Sequence, residues 1–457
     1  MVQAIQGLRI HFLEIQSTKT GKRVGLSNAV RSIEYFEDIL SPSVSMQLNV
    51  VSDVNVVSEI LMTGGEMVAM DIETASGEFK FGVTDSEGNI EPGHNELYVY
   101  KVSAIDSQRQ ASRFTIHLVS LEYLKNETTR VKKRFGGDGD KPLLISEIVD
   151  ELLIDQNSLD SNKEIFTEPT ANTYSFMGNM RKPFYTILWL SPKSISKITS
   201  SSGEDGEDGS TNAKANGTSG FLFYENKAGF NFRSILVNFE IHGTEEQPYE
   251  WRGMGAIDSN TFDSNYQILN YIVEKNTDLR KALITGMYNN TTQYYNVLTH
   301  KMSFYKYDLS EEIKDNKLGG QDQIPKTGDP YVDKEVSRYM FRVSDHGVTG
   351  QGEDGLESSG GKNAERTDIA KSLARYNLLF TQSLNISVPL NTNMKAGDII
   401  RCKFPRQNAG QSKERDANLS GKYLIRALRH HCEGNLNATY LKLVRDSYGF
   451  LESKKPT

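Results

Sequence analysis

His430, His431 and Cys432 stand side by side, the densest group of candidate metal ligands in the chain. On a strand, adjacent residues point to opposite faces, so at most His430 and Cys432 converge on one ion. No further Cys/His pair is placed to complete a tetrahedral shell. The pattern predicts a strand-end histidine and a buried thiol. The acidic run at residues 204–209 suggests a calcium loop until its positions are counted. Gly206 replaces a ligand and the twelfth position is Ala215 rather than glutamate. Residues 355–363 start like a phosphate loop, but Gly361 stands where the lysine belongs and no Ser or Thr follows Lys362. They read as a flexible linker.

Neither His-Glu-x-x-His, which sets two zinc ligands on one helical face, nor Gly-x-Ser-x-Gly, which exposes a hydrolase serine, occurs. Paired glycosidase carboxylates are a property of the fold and stay open among 59 acidic residues. Tyr288, Tyr294 and Tyr295, beside Asn289 and Asn290, offer stacking faces and hydroxyls to a sugar, although such residues more often pack sheet faces or subunit contacts. No catalytic, cofactor-binding or metal-binding residue is assigned, and no cofactor is expected.

The 457 residues allow two to four folded units at roughly 150 residues each. Hydrophobic residues make up 37% and no run approaches the ~20 apolar residues of a spanning helix, so no membrane-spanning segment is expected. The first sixteen residues carry Arg9, His11 and Glu14 among their apolar positions and lack a signal-peptide plan, so synthesis in a cytosol is expected. Cys402 and Cys432 could form a single bridge, but buried free thiols are the preferred reading. A net charge of −7 disfavours binding through phosphate neutralisation, while an acidic channel could still guide nucleic acid by repulsion.

The elements that would carry any site are mostly strands. Val44, Met46, Leu48 and Val50 alternate with polar residues, as do Val68, Met70 and Ile72, and Phe114, Ile116 and Leu118. Residues 1–125 therefore predict a first antiparallel barrel. In residues 126–258, Asp140 and Pro142 can open a helix carrying Leu144, Ile145, Ile148, Val149 and Leu152. A second helix fits 183–190 and a hairpin fits 221–235 with a five-residue link, 225–229. Residues 191–220 are Ser/Gly/Asp-rich and predict an exposed loop. Residues 259–310 and 366–450 predict a second, split barrel, with a short helix near 278–285 and a helix capped by Thr367. Residues 311–365 read as a polar insertion and 451–457 as a tail. The fold class expected is mainly β with α+β insertions: two antiparallel barrels plus a helix and hairpin domain.

An internal echo supports the pairing of barrels. Gly65-Glu66 enters a strand containing Val68, as Gly397-Asp398 enters one containing Ile400. Tyr98 to Val102 resembles Tyr423 to Ala427, and Phe114 to Val119 resembles Thr439 to Val444, with Tyr98–Leu118 and Tyr423–Leu443 equally spaced.

Residues 32–53 resemble the opening of the baseplate hub proteins of T-even-type contractile-tailed bacteriophages. Residues 220–234 resemble the hairpin those hubs carry before their second barrel. Residues 397–404 and 421–448 resemble closing strands shared by those hubs and the hub portion of type VI secretion spikes. The resemblance implies two tail-tube-like barrels per chain and a homotrimer, so that six similar barrels adapt a hexameric tube to a trimeric cell-puncturing spike. Tail tube protein, tail spike protein and baseplate wedge proteins are the implied partners. Viral DNA would pass the lumen without specific binding, and the location would be the tail baseplate of a virion, after synthesis in host cytoplasm. The chain is then expected not to be an enzyme. A tail-associated cell-wall hydrolase, or a type VI-like spike component, is the alternative; a host-surface adhesin is less favoured because fibrous repeats are absent from the sequence.

Overall fold

The computed structural model describes residues 9–53, 56–59, 62–74, 76–81, 83–84, 90–91, 96–108, 111–136, 143–197, 219–235, 248–251, 264–275, 278–295, 297, 300, 302–308, 337–343, 364–405, 416, 418–434 and 436–448. The architecture is mainly β. The N-terminal part contains β1 (Arg9–Gln16), β2 (Arg23–Gly25), β3 (Val30–Asp38), β4 (Ser45–Ser52), the short α1 (Val56–Glu59), β5 (Met67–Thr74), β6 (Gly77–Phe81), β7 (Val83–Thr84), β8 (Ile90–Glu91), β9 (Leu97–Gln108), β10 (Ala111–Ser120) and α2 (Leu121–Thr128). Its strands lie in the order β3-β4-β10-β9-β5-β1-β2, with β6 also on β5. Period-two patterning sets the faces: Met46, Leu48 and Val50, and Phe114, Ile116 and Leu118, are buried.

The middle part contains β11 (Arg134–Phe135), α3 (Ile145–Ile154), β12 (Ile165–Thr167), β13 (Phe176–Met177), α4 (Pro183–Leu190), β14 (Phe221–Asn226) and β15 (Gly229–Ser234). Helix α3 buries Ile145, Ile148, Val149 and Leu152. Glu147 Oε2 accepts from the Leu144 N–H, 3.0 Å, at its start, while Asp140 and Pro142 lie outside the described residues. Pro183 opens α4, where its missing N–H costs nothing. The β14–β15 link is a two-residue turn, Lys227-Ala228, because Glu225 and Asn226 stay paired with Phe230 and Gly229. It is tighter than the five-residue link expected. Strand β14 is buried on both faces. Phe221 and Phe223 enter a core with Ile148, Ile187, Phe230 and Phe232. Leu222 and Tyr224 enter another with Ile39, Ile399 and Leu424.

The C-terminal part contains β16 (Tyr249–Trp251), β17 (Gln267–Ile268), β18 (Asn270–Lys275), α5 (Leu279–Thr285), β19 (Asn289–Tyr295), β20 (Met302–Asp308), β21 (Tyr339–Val343), α6 (Ala364–Leu379), β22 (Gln382–Pro389), β23 (Ile399–Lys403), β24 (Gly421–Glu433) and β25 (Leu436–Arg445). Strands pair in the order β18-β22-β25-β24-β23-β16-β17. Only Leu269 separates β17 from β18, and its N–H donates to the Ser387 carbonyl, 2.7 Å, so the pairing returns to its start.

Three parts of the sequence reading differ here. At the start of the stretch 191–220, read as an exposed loop, Ser191, Ser194 and Ser196 are buried, because the Ser191 and Ser194 hydroxyls donate to carbonyls of α4 and Ser196 bridges to Thr170. Strands β19 and β20 do not extend the large sheet; they form a separate three-stranded sheet with β21, which falls inside the stretch read as an insertion. Helix α6 covers one face, because Ala370 and Ala374 are small enough for Tyr307 to pack close. The other face leaves Met302, Phe304, Phe341 and Val343 exposed. Helix α6 also begins at Ala364, so Thr367 lies within it rather than capping it. The runs 204–209 and 355–363 lie outside the described residues.

Candidate functional site: the joint between two matching strand units

Two five-stranded arrangements share one topology. In the first, chain order β3, β4, β5, β9, β10 becomes spatial order β3-β4-β10-β9-β5. In the second, β18, β22, β23, β24, β25 becomes β18-β22-β25-β24-β23. Both follow the order first, second, fifth, fourth, third. The agreement reaches individual hydrogen bonds. Gly65 N–H donates to Val99 O at 2.7 Å and Val99 N–H to Glu66 O at 2.9 Å; Gly397 N–H donates to Ile425 O at 2.9 Å and Ile425 N–H to Asp398 O at 2.8 Å. Glu66 Oε1 accepts from Thr63 N at 2.7 Å, as Asp398 Oδ2 accepts from Lys395 N at 2.9 Å. Gly65 and Gly397 both take positive φ, +86° and +95°. A side chain at such angles is strained.

The echo read from sequence is displaced by one residue in one strand. Val99 faces Leu118 and Ile425 faces Leu443, so Tyr98 corresponds to Leu424 rather than to Tyr423. Residue type misled because the two tyrosines take different faces: Tyr98 is half-buried, whereas Tyr423 is buried. Each long strand has a bulge at the next position, Tyr100 in β9 and Arg426 in β24.

The units join where one edge of β24 changes partner. Residues 421–424 pair with β23; past the Arg426 bulge, Ala427 to Glu433 pair antiparallel with Asp38 to Ser32 of β3. The Arg426 carbonyl accepts from Ile39 N–H at 2.9 Å. On one face of this joint Glu34 pairs with Arg429 (2.5 Å) and His431 (3.3 Å). On the other, His430 lies nearly parallel to Tyr35, meets the edge of Phe79, and shares a 2.9 Å hydrogen bond between Nδ1 and Thr439 Oγ1. Burial, with the nearby Lys227 cation, pushes the His430 imidazole down to about 3, so it is neutral.

Glu37 fastens three parts of the chain. One oxygen accepts from Tyr35 OH (2.7 Å) and from Lys227 N–H in the hairpin turn (2.6 Å); the other accepts from Ala396 N–H (2.6 Å). Burial pushes its carboxyl up to about 7 against the pull of these donors, and pushes neighbouring Asp398 up to about 6. The hairpin has a second anchor. Lys163 sits between Glu122, at 2.8 Å, and Glu225, and Glu225 Oε2 also accepts from Val44 N–H at 3.1 Å. Burial disfavours the Lys163 charge, but the two carboxylates overcome this and hold it protonated. Burial raises Glu225; at Glu122 burial also opposes the charge, but the Lys163 attraction together with hydrogen bonds from Lys163, Ser161 and the backbone outweighs it and lowers the carboxyl.

His430 and Cys432 share a buried face, as the strand period requires, and His431 takes the other. No cluster of three metal-ligating side chains occurs among the described residues. Cys402 and Cys432 are free and buried, and burial raises both thiols, Cys432 to about 12. Tyr288, Tyr294, Asn289 and Asn290 are buried rather than arrayed for a sugar, and Tyr295 OH bonds His300 Nδ1 at 2.8 Å. No described helix is long and apolar enough to cross a membrane. Sequence reasoning passed over Glu37, Lys163 and Glu225. An acidic residue two places from a buried tyrosine on an alternating strand, as Glu37 is from Tyr35, was the available signal.

No protein-family model and no curated protein sequence matches the chain. Among solved structures, it is similar to the tail protein from Neisseria meningitidis MC58, with TM-score 0.50, 11% identity, and coverage of 97% of this chain and 99% of that one. It is also similar to the 43 kDa tail protein of prophage MuSo2 from Shewanella oneidensis, with TM-score 0.50, 8% identity, and coverage of 96% and 98%. A component of the E. coli type VI secretion system aligns at TM-score 0.43 and 9% identity over 98% of this chain and 80% of that one. The chain has the fold of these two tail proteins over nearly its whole length.

Proposed function

We propose that this chain is the central hub of a contractile phage tail baseplate, a structural protein without catalysis. Three copies would form a ring that joins the hexameric tail tube to the trimeric cell-puncturing spike. The observation that supports this most directly is the repeated strand order, with its repeated glycine turn and bulge, inside a chain that folds like phage tail proteins. A threefold particle offers six like surfaces only if each chain carries two units of one shape. In this reading residues 1–125 form one tube-like barrel and residues 259–310 with 366–450 supply the other, with 126–258 between them. Tube protein, spike protein and wedge proteins are the partners, and viral DNA transits a lumen lined partly by carboxylates. The Glu37 and Lys163 anchors suit such a part, since they hold the two units and the hairpin in one body.

Mass measurement of the purified protein in solution tests the reading. A species of three chains is expected. A stable single chain at high protein concentration overturns the ring.

A further inference from the structure

The joint inside the chain is half of a pattern whose other half is open. Overlaying the matching units places β24 on β9 and β3 on β18. His431 falls on Asp106 and Cys432 on Ser107, since both pairs face equivalent residues of β25 and β10. Ile33, Glu34 and Tyr35 fall on Tyr271, Ile272 and Val273, because each set faces the matching residues of β4 and β22. Inside the chain the β24 edge is filled by β3. The equivalent edge of β9, beyond its Tyr100 bulge, has no strand partner among the described residues, and neither does the outer edge of β18.

Burial tells the same story. Tyr35 is 1% exposed in the internal joint, while its counterpart Val273 is 36% exposed and the adjacent Ile272 is 58% exposed. Tyr100, at the bulge that leads into the open β9 edge, is 47% exposed. An unpaired strand edge flanked by apolar side chains is a template for another strand. β9 has one residue more than β24 between Ser103 and Asp106, and β18 has one more than β3 between Ile272 and Lys275, so the two extra residues fall opposite each other and β18 is the strand that fits the β9 edge in the register of β3 on β24.

We infer that β18 of one copy pairs antiparallel with β9 of the next, residues 270–275 against 103–108, repeating between chains the joint that β3 and β24 make within one. Ile272 then faces Asp106, as Glu34 faces His431. A copy so joined at both open edges leaves neither edge unpaired, and the joints alternate, internal then external, around the ring. The inference rests on the ring proposed above and specifies the residues that close it. The external joint carries Ile272 where the internal one carries Glu34, so the Glu34–Arg429 ion pair and the Glu34–His431 contact are not repeated.

Cross-linking tests it. In full-length protein carrying Ile272→Cys and Asp106→Cys, mild oxidation is expected to give covalent species of two and three chains on a non-reducing gel. Either single variant, or the native chain with its buried Cys402 and Cys432, should give none. The mass of the same samples before oxidation separates the two ideas. A three-chain particle that does not cross-link overturns this pairing and leaves the ring. A single chain that does not cross-link overturns both. Val273→Lys supplies an independent reading: at an unchanged melting temperature of the isolated chain, it is expected to shift the mass toward one chain, and an unaltered three-chain mass counts against the pairing.

Discussion

The imidazole of His430 lies 8° from parallel with the ring of Tyr35, centroids 6.0 Å apart, and the two residues come from the two different strand units. A neutral ring is required there, and burial keeps it so. His430 is depressed in the folded state, so its contribution to stability is complete above the unfolded histidine value near 6.5 and is lost as pH falls toward about 3. In His430→Gln that loss is removed. Equilibrium unfolding is expected to show native stability dropping by about 2 kcal/mol more than the variant's between pH 6.5 and 5.

Glu37 gives the opposite sign. Its folded value is raised from 4.5 to about 7, so its favourable contribution is complete below about 4.5 and is lost as pH rises through 7. Glu37→Gln abolishes this titration but puts an amide N–H2, which cannot accept, where one of the two carboxyl oxygens accepts a backbone N–H from Lys227 or Ala396. The variant should lose on the order of 1–3 kcal/mol at pH 5 and show a shallower decline from pH 5 to 8 than the native chain, read from urea midpoints at each pH.

Lys163→Met strands Glu122 and Glu225 without their shared cation. Breaking a buried pair from one side costs about 3–5 kcal/mol. The double variant Lys163→Met with Glu225→Gln is expected to recover part of that loss, and a double-mutant cycle by thermal melting measures the coupling.

Gly397→Ala meets two obstacles, a φ of +95° and a methyl placed inside the van der Waals boundary of Tyr224 Oη. A loss of about 1–3 kcal/mol is expected. Gly65→Ala shares the positive φ but has nothing within 4 Å of the added carbon, so it should cost less. Denaturation of the two variants side by side checks the difference.

Much of the fold was legible where a local period governed it. Leu384, Ile386 and Val388, alternating with Asn385 and Ser387, gave a buried face without knowledge of any partner. Pro183 marked a helix start, and the Phe221–Phe232 run marked a hairpin. What stayed hidden depends on remote pairing. Strands β16 and β17 are too short to show a period, and exist because β23 and one another supply hydrogen bonds. β19 alternates like any barrel strand, and its separate sheet follows from the later arrival of Tyr339 to Val343 beside it. The duplication was visible in outline but slipped by one residue, because the tyrosine at 423 matches the one at 98 in type and not in orientation. Glu37 and Lys163 carry no motif; their importance comes from donors supplied by residues 227 and 396 and by the carboxylate at 225.

The shared edge of β24 also has a mechanical consequence. One continuous strand carries backbone hydrogen bonds to its own unit over residues 421–424 and to the other unit over 427–433. Sliding the units past each other along that strand loads those seven paired positions in shear, so they must rupture together rather than unzip singly. A molecule built this way resists relative sliding of its two units as a stiff beam would, because a single unbroken strand, residues 421–433, is laced to both.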